Sequence, residues 1–136
     1  MSGMPGVATP VRGSGNNQSL WKLEWTYSST GGEVTLDTDQ SDQHPGVATP
    51  VADSGTTGLT NIVFPKATRA WVVHHELEPV TADISDPTDY RMTNVLALNA
   101  AAGTCQMAFS EIETAGALAD PNTGARAKLV LLLEFI

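Results

Sequence analysis

The sequence predicts an all-β fold: an antiparallel β-sandwich, jelly-roll-like, with seven to eight strands and an extended N-terminal arm. Three observations support this prediction. Segments in which apolar and polar residues alternate recur along the chain, a pattern typical of half-buried strands. Turn signals rich in Gly, Pro, Asn and Asp separate these segments about every 8 to 15 residues. Helical heptads are absent, so two packed antiparallel sheets are the favoured architecture.

The length of 136 residues fits one domain with a single core. Residues 1–19 are rich in Gly, Pro and polar side chains, and only Val7, Ala8 and Val11 are modestly apolar. We therefore expect residues 1–19 to form an extended arm and residues 20–136 to form the sandwich.

The first strand is predicted at 20–27, where Trp21, Leu23, Trp25 and Tyr27 share one face. The Gly-containing turn at 28–32 precedes a second alternating segment at 33–37, so the two segments are predicted to form a hairpin.

The next two strands are predicted at 58–65 and 68–77, as a pair joined by a short Pro-Lys-Ala link. Pro65 has no amide proton for a ladder, which sets the end of the first of them. Two further strands are predicted at 90–98 and 104–110, with a turn at 101–103 between them.

The last segment, 127–136, differs from the others because it is apolar on both faces. A strand of this kind needs cover on both sides. It is therefore a candidate for self-association as well as for the core.

The charge balance excludes several partners. Seven basic and fifteen acidic residues give a net charge of −8, and the basic residues form no run. Nucleic acid and anionic membrane surfaces are therefore not expected as partners. No secretory signal or apolar span of about 20 residues is found, which favours assembly in cytoplasm.

One heptapeptide occurs twice. The sequence Pro-Gly-Val-Ala-Thr-Pro-Val stands at 5–11 and at 45–51, and Ser14-Gly15 matches Ser54-Gly55 at the same offset. Proline-flanked, β-branched segments suit edge strands. One interpretation is that the first copy lies along a neighbouring subunit's sheet edge, as the second lies along its own. The alternative is an accidental duplication without consequence.

No catalytic constellation or cofactor motif emerges. His74 and His75 are predicted in a strand, where neighbouring side chains point to opposite faces and cannot share a metal; a pH-sensitive interface is the alternative to a structural role. The carboxylates of Asp37, Asp39 and Asp42 are predicted to lie in a solvated acidic loop, and a calcium site is the less favoured interpretation. Cys105 is the single cysteine and is predicted in the core. We expect neither an enzyme nor a bound cofactor.

The segment 54–66, the two-faced strand and the turn at 119–124 before an apolar last strand resemble those of small jelly-roll capsid decoration (cement) proteins and fibre-head modules of tailed bacteriophages. The resemblance spans residues 20–136. It implies a virion protein on the outer capsid surface that binds the major capsid protein, assembles in the host cytoplasm, and forms a homotrimer or homodimer.

The same resemblance implies two sites. The partner-binding arm comprises Pro5, Gly6, Val7, Ala8, Thr9, Pro10 and Val11. The oligomer interface comprises Leu129, Leu131, Leu132, Leu133 and Phe135. The resemblance implies no catalytic residues in this chain.

The alternative function is a carbohydrate- or receptor-binding sandwich of a phage fibre or tail. Trp21, Trp25 and Trp71 are the candidates for a sugar-stacking platform, and burial of the indoles in a core or subunit interface is the competing interpretation.

Overall fold

The computed structural model describes residues 17–27, 34–38, 51–79, 90–112 and 116–135, with the backbone alone for 34–38. These residues form strands and no helix, which confirms the all-β prediction. The strands are β1 (Asn17–Tyr27), β2 (Val34–Thr38), β3 (Val51–Asp53), β4 (Leu59–Val63), β5 (Arg69–Glu78), β6 (Arg91–Asn99), β7 (Thr104–Glu111) and β8 (Arg126–Phe135). Within the same ranges, no helix is long and apolar enough to cross a membrane.

Two four-stranded antiparallel sheets pack face to face, so the predicted β-sandwich is confirmed. Sheet 1 has the order β2-β1-β8-β5, and sheet 2 has the order β3-β4-β7-β6. β8 lies between β1 and β5 in sheet 1 and pairs with both along its length. The finer jelly-roll connectivity stays a prediction.

The core lies between the two sheets and follows from the alternation in the sequence. In β1, every second side chain from Trp21 to Tyr27 is buried. The main contributors from the other strands are Ile62 and Phe64 near β4, Met107 and Phe109 on β7, and Leu129, Leu131 and Leu133 on β8. Burial of these large apolar side chains is the main force that holds the sheets together.

A buried polar contact also joins the sheets. Tyr27 Oη on β1 lies 2.7 Å from Thr60 Oγ1 on β4, and the Tyr27 ring meets Phe109 edge-on with centroids 5.7 Å apart. Burial raises the pKa of Tyr27 to about 12, despite the opposing hydrogen bond from Thr60. The phenol is therefore held neutral inside the sandwich.

The predicted pairing of 58–65 with 68–77 is wrong, although both strands exist. β4 pairs with β3 and β7 in sheet 2, whereas β5 pairs with β8 in sheet 1. The link at 65–67 therefore crosses between sheets. Phe64 N donates to Gly103 O in sheet 2, and Thr68 N donates to Glu134 O in sheet 1. Pro65 follows the end of β4 and has no amide proton to continue its ladder.

The predicted hairpin of the first two strands is confirmed, and the strands predicted at 90–98 and 104–110 also pair with each other. β1 pairs with β2, with Tyr27 opposite Val34, and β6 pairs with β7 across the turn at 100–103. Asn17 begins β1, three residues before the predicted start of the domain at residue 20. The residues before Asn17 lie outside the described ranges.

Candidate partner-binding surface

Among the described residues, the outward side of sheet 1 combines exposed apolar side chains with charged side chains around them. Since Trp21, Leu23 and Trp25 point into the core, the residues between them point outward. The strand register then aligns outward residues of β1, β8 and β5 in rows across the sheet. We call the surface formed by these outward residues the outer face.

An apolar row crosses the outer face and is the second of its five rows. Leu20 on β1 is paired with Leu132 on β8, and Leu132 is paired with Trp71 on β5. Leu20 is 46% exposed and Trp71 is 41% exposed, while Leu132 is half-buried between them. Half-buried Val130 lies in the next row. Three adjoining large apolar side chains on an outward face are typical of a surface that binds a partner.

Polar side chains flank this apolar row. On one side, Gln18 Nε2 donates to Glu134 Oε2 at 3.0 Å, and Arg69 Nε lies 3.8 Å from Glu134 Oε1. On the other side, Lys128 Nζ lies 3.7 Å from Glu24 Oε1. Glu134 is only 4% exposed, so its carboxylate needs these partners. The arrangement of an apolar centre with a polar rim is common in protein interfaces.

The outer face is electrically neutral although the chain is strongly acidic. Its four basic residues equal its four acidic residues in number, so the net charge of −8 is carried by the rest of the chain. The basic residues are Lys22, Arg69, Arg126 and Lys128, and the acidic residues are Glu24, Glu76, Glu78 and Glu134. A protein partner therefore meets less long-range repulsion here than elsewhere on the surface.

The predicted oligomer interface needs correction, because most of its side chains lie in the chain's own core. Leu129, Leu131 and Leu133 are fully buried between the sheets. Phe135 is partly buried and packs against the same core. Leu132 alone of the five points outward. The sandwich itself covers one face of β8, which leaves only the opposite face for a partner.

Further exposed apolar side chains lie on the edge strands β5 and β6. They are Val72 and Val73 on β5 and Met92, Leu96 and Leu98 on β6. Both strands have an irregular register here, between Val72 and His74 and between Leu96 and Asn99. Such irregularities disrupt the flat edge that another strand needs for pairing.

The two histidines point to opposite faces, as predicted. His74 is paired with Val130 on the outer face, and its Nε2 lies 3.5 Å from Glu76 Oε1. His75 is half-buried, and its Nδ1 lies 2.6 Å from Thr93 Oγ1 on β6. His75 therefore links β5 of sheet 1 to β6 of sheet 2. Among the described residues, no group of three or more potential metal ligands occurs.

The tryptophans divide between core and surface. Trp21 and Trp25 are buried, so neither indole can stack on a sugar. Trp71 is exposed on the outer face and is the single remaining candidate of the three for such stacking. The register of β5 decides this difference, because Trp71 stands opposite Leu132 rather than opposite a core residue.

Cys105 is buried beside Met107 and Phe109, as predicted. Burial raises the pKa of its thiol to about 12. A thiol of this kind is protonated at neutral pH and is a poor nucleophile. The neighbouring open hollow, of about 380 Å³, is lined mainly by Val63, Ala97, Thr104 and Gln106. It contains no acid, base or activated nucleophile.

The other predicted sites lie wholly or largely outside the described residues. Residues 5–11 of the arm, Asp39 and Asp42 lie outside the described residues, and only the backbone of Asp37 is described. Of the second heptapeptide copy, Val51 alone is described, and it begins the edge strand β3.

No protein-family model, curated protein or solved structure matches the chain. The fold defines it as a two-sheet antiparallel β-sandwich.

Proposed function

We propose that the chain is a virion structural protein that decorates the outer surface of a phage capsid and stabilises it by binding neighbouring capsid subunits. The observation that carries this proposal is the neutral outer face with its apolar row of Leu20, Leu132 and Trp71. The partners are the major capsid protein and further copies of the chain, as a homotrimer or homodimer. The chain acts by binding, without a catalytic step or a cofactor.

Three physical properties support this function. Two sheets joined through a continuous core form a stiff body, and within sheet 1 the strand β8 pairs along its length with both β1 and β5. The outer face offers apolar area for a protein partner. The acidic remainder of the surface keeps particles dispersed, since like-charged particles repel. Together these properties suit a protein that reinforces an assembly from outside.

The test is co-sedimentation of the purified protein with heads of the parent phage assembled without it. Leu20→Lys places a charge in the apolar row, so we expect an affinity loss of about tenfold or more, the range found for central interface residues. Ile112→Lys is the matched control, because Ile112 is 48% exposed and lies outside the outer face. We expect the control to bind heads like the unmodified chain.

Equal binding by both variants and the unmodified chain would show that the outer face is not the capsid-binding surface. Absence of binding by the unmodified chain would refute the decoration role itself. The carbohydrate- or receptor-binding alternative rests on exposed Trp71. Binding to the host's surface polysaccharide that Trp71→Ala abolishes would favour that alternative.

A further inference from the structure

The outward side of sheet 2 carries no charged side chain among the described strand residues. Cys105, Met107 and Phe109 on β7 point into the core, so the residues between them point outward. The strand register aligns outward residues of β3, β4 and β6 with them, and we call this surface the sheet 2 face. Its members are Ala52, Leu59, Asn61, Val63, Met92, Asn94, Leu96, Thr104, Gln106, Ala108 and Ser110. The outer face of sheet 1, in contrast, carries charges of both signs.

Large apolar side chains are exposed on the sheet 2 face. Met92 is 45% exposed, and Val63 and Leu96 are each 39% exposed. Depletion of charged residues, together with exposed methionine and other apolar side chains, distinguishes the centre of a protein interface from the rest of a surface. The composition of the sheet 2 face is therefore that of an interface with another protein surface.

The polar side chains of the sheet 2 face are suited to binding an identical face. Gln106 Nε2 on β7 donates to Asn61 Oδ1 on β4 at 3.0 Å. An amide group has two donor hydrogens and an acceptor oxygen, so one hydrogen bond does not exhaust either group. Asn94 adds a third exposed amide. Because every amide both donates and accepts, two copies of this face can pair their amides without any charged group.

A recess lies beside a projecting side chain on the same face. The hollow of about 380 Å³ is lined by Val63, Thr104 and Gln106 of the sheet 2 face and by Ala97, which follows exposed Leu96. Ala97 has a φ of +53°, at the point where β6 departs from regular pairing with β7. An interface around a two-fold axis is self-complementary, because each copy supplies both contacting parts. A projection and a recess on one face meet this requirement.

Charge favours a second copy of the chain as the occupant. Each chain has a net charge of −8, so two copies repel each other over most of their surfaces. Contact between two sheet 2 faces places no like charges opposite each other. A charged partner surface would instead lose its hydration here without meeting an opposite charge. The matching surface that the described part of the chain offers is therefore the sheet 2 face itself.

We infer that two copies associate through their sheet 2 faces around a two-fold axis and form a homodimer. The strand spacing and the rise per residue give such a contact a buried area of roughly 800–1,000 Å², which is at the low end for specific interfaces. The dimer is therefore reversible. Both outer faces point away from this contact, so the inference is independent of capsid binding and holds for any function of the outer face.

The test is the dissociation constant of the purified full-length chain, measured by sedimentation equilibrium over a dilution series. Leu96→Glu places one charge from each copy in the interface without an opposite charge, so we expect binding at least about tenfold weaker. Leu20→Glu is the matched control, because it makes the same change of net charge at an exposed leucine of the outer face. We expect the control to dimerise like the unmodified chain. Urea unfolding verifies that both variants are folded.

Ionic strength gives a second readout. Sodium chloride screens the repulsion between two acidic chains, and the sheet 2 faces form no ion pairs that salt could weaken. The dimer should therefore tighten as sodium chloride is raised from about 0.05 to 0.5 M. A dimer that weakens with salt would overturn the inference, as would one that Leu20→Glu disrupts and Leu96→Glu leaves intact.

A chain that stays monomeric up to about 0.5 mM would also overturn the inference, and so would a trimer. The assay contains no capsid, so the two proposals fail separately. A monomer that binds phage heads would reject the dimer and leave the decoration role standing. A dimer that does not bind heads would reject the decoration role alone.

Discussion

Gly103 and Gly55 show how the same backbone conformation differs in cost with its surroundings. Both have a positive φ, +69° and +78° respectively. A Cβ atom at Gly103 would clash with Phe64 O, whereas a Cβ atom at Gly55 would meet nothing within 4 Å. Gly103 also accepts the hydrogen bond of Phe64 N where the chain leaves sheet 2. Glycine at 103 therefore permits a close backbone approach as well as a turn.

Gly103→Ala is expected to lower the free energy of unfolding by about 3 kcal/mol or more, and Gly55→Ala by about 1 kcal/mol. Both variants carry the cost of a left-handed alanine, but only the first also displaces the Phe64 backbone. Urea unfolding followed by tryptophan fluorescence measures both. Equal losses would show that the contact with Phe64 adds nothing.

At the scale of the element, one face of β8 packs in the core and the other face forms part of the outer face. Leu131 is fully buried in the core, and its neighbour Leu132 is half-buried on the outer face. The strand sits between β1 and β5, so its backbone bonds are satisfied on both edges. Substitutions on the two faces should therefore affect stability and binding separately.

Leu131→Ala is expected to destabilise the fold by about 2–5 kcal/mol, because it leaves a cavity in a packed core. Leu132→Ala is expected to cost less than about 1.5 kcal/mol, since its side chain is already partly solvated. Thermal and urea unfolding give both values. A loss for Leu132→Ala as large as that for Leu131→Ala would mean that the outer face is covered within the chain.

For the whole molecule, two buried weak acids set a limit to stability at high pH. Burial raises the pKa of Cys105 from 9.0 to about 12 and that of Tyr27 from 10.0 to about 12. The folded state thus favours the neutral forms of both groups. Their stabilising contribution is complete below the unfolded pKa values and is lost as pH rises from about 9 towards 12.

Cys105→Ala is expected to flatten the pH dependence of unfolding. Between pH 8 and pH 10 the unmodified chain should lose on the order of 1 kcal/mol more than the variant, because only its unfolded state releases the thiol proton. Urea midpoints at the two pH values give the difference. The same pH dependence in both chains would show that Cys105 ionises as readily in the folded state.

The candidate surface was only partly predictable. The two-faced pattern of the last strand predicts Leu132 at an interface, but no pattern in the sequence assigns Leu20 and Trp71 to the same surface. The prediction that 58–65 pairs with 68–77 put Trp71 beside the wrong strand. Alternation shows which residues share a face of one strand, but it contains no information about the partner of that strand.

The sequence by itself determined seven of the eight described strands, the buried side of β1, the buried position of Cys105 and the overall acidity, because these follow from local alternation and composition. Only the tertiary structure decided that β4 and β5 belong to different sheets and that β8 lies between β1 and β5. It also decided that Leu20, Leu132 and Trp71 form one row. The reason is physical: pairing between distant strands depends on how the whole core packs, which no single segment encodes.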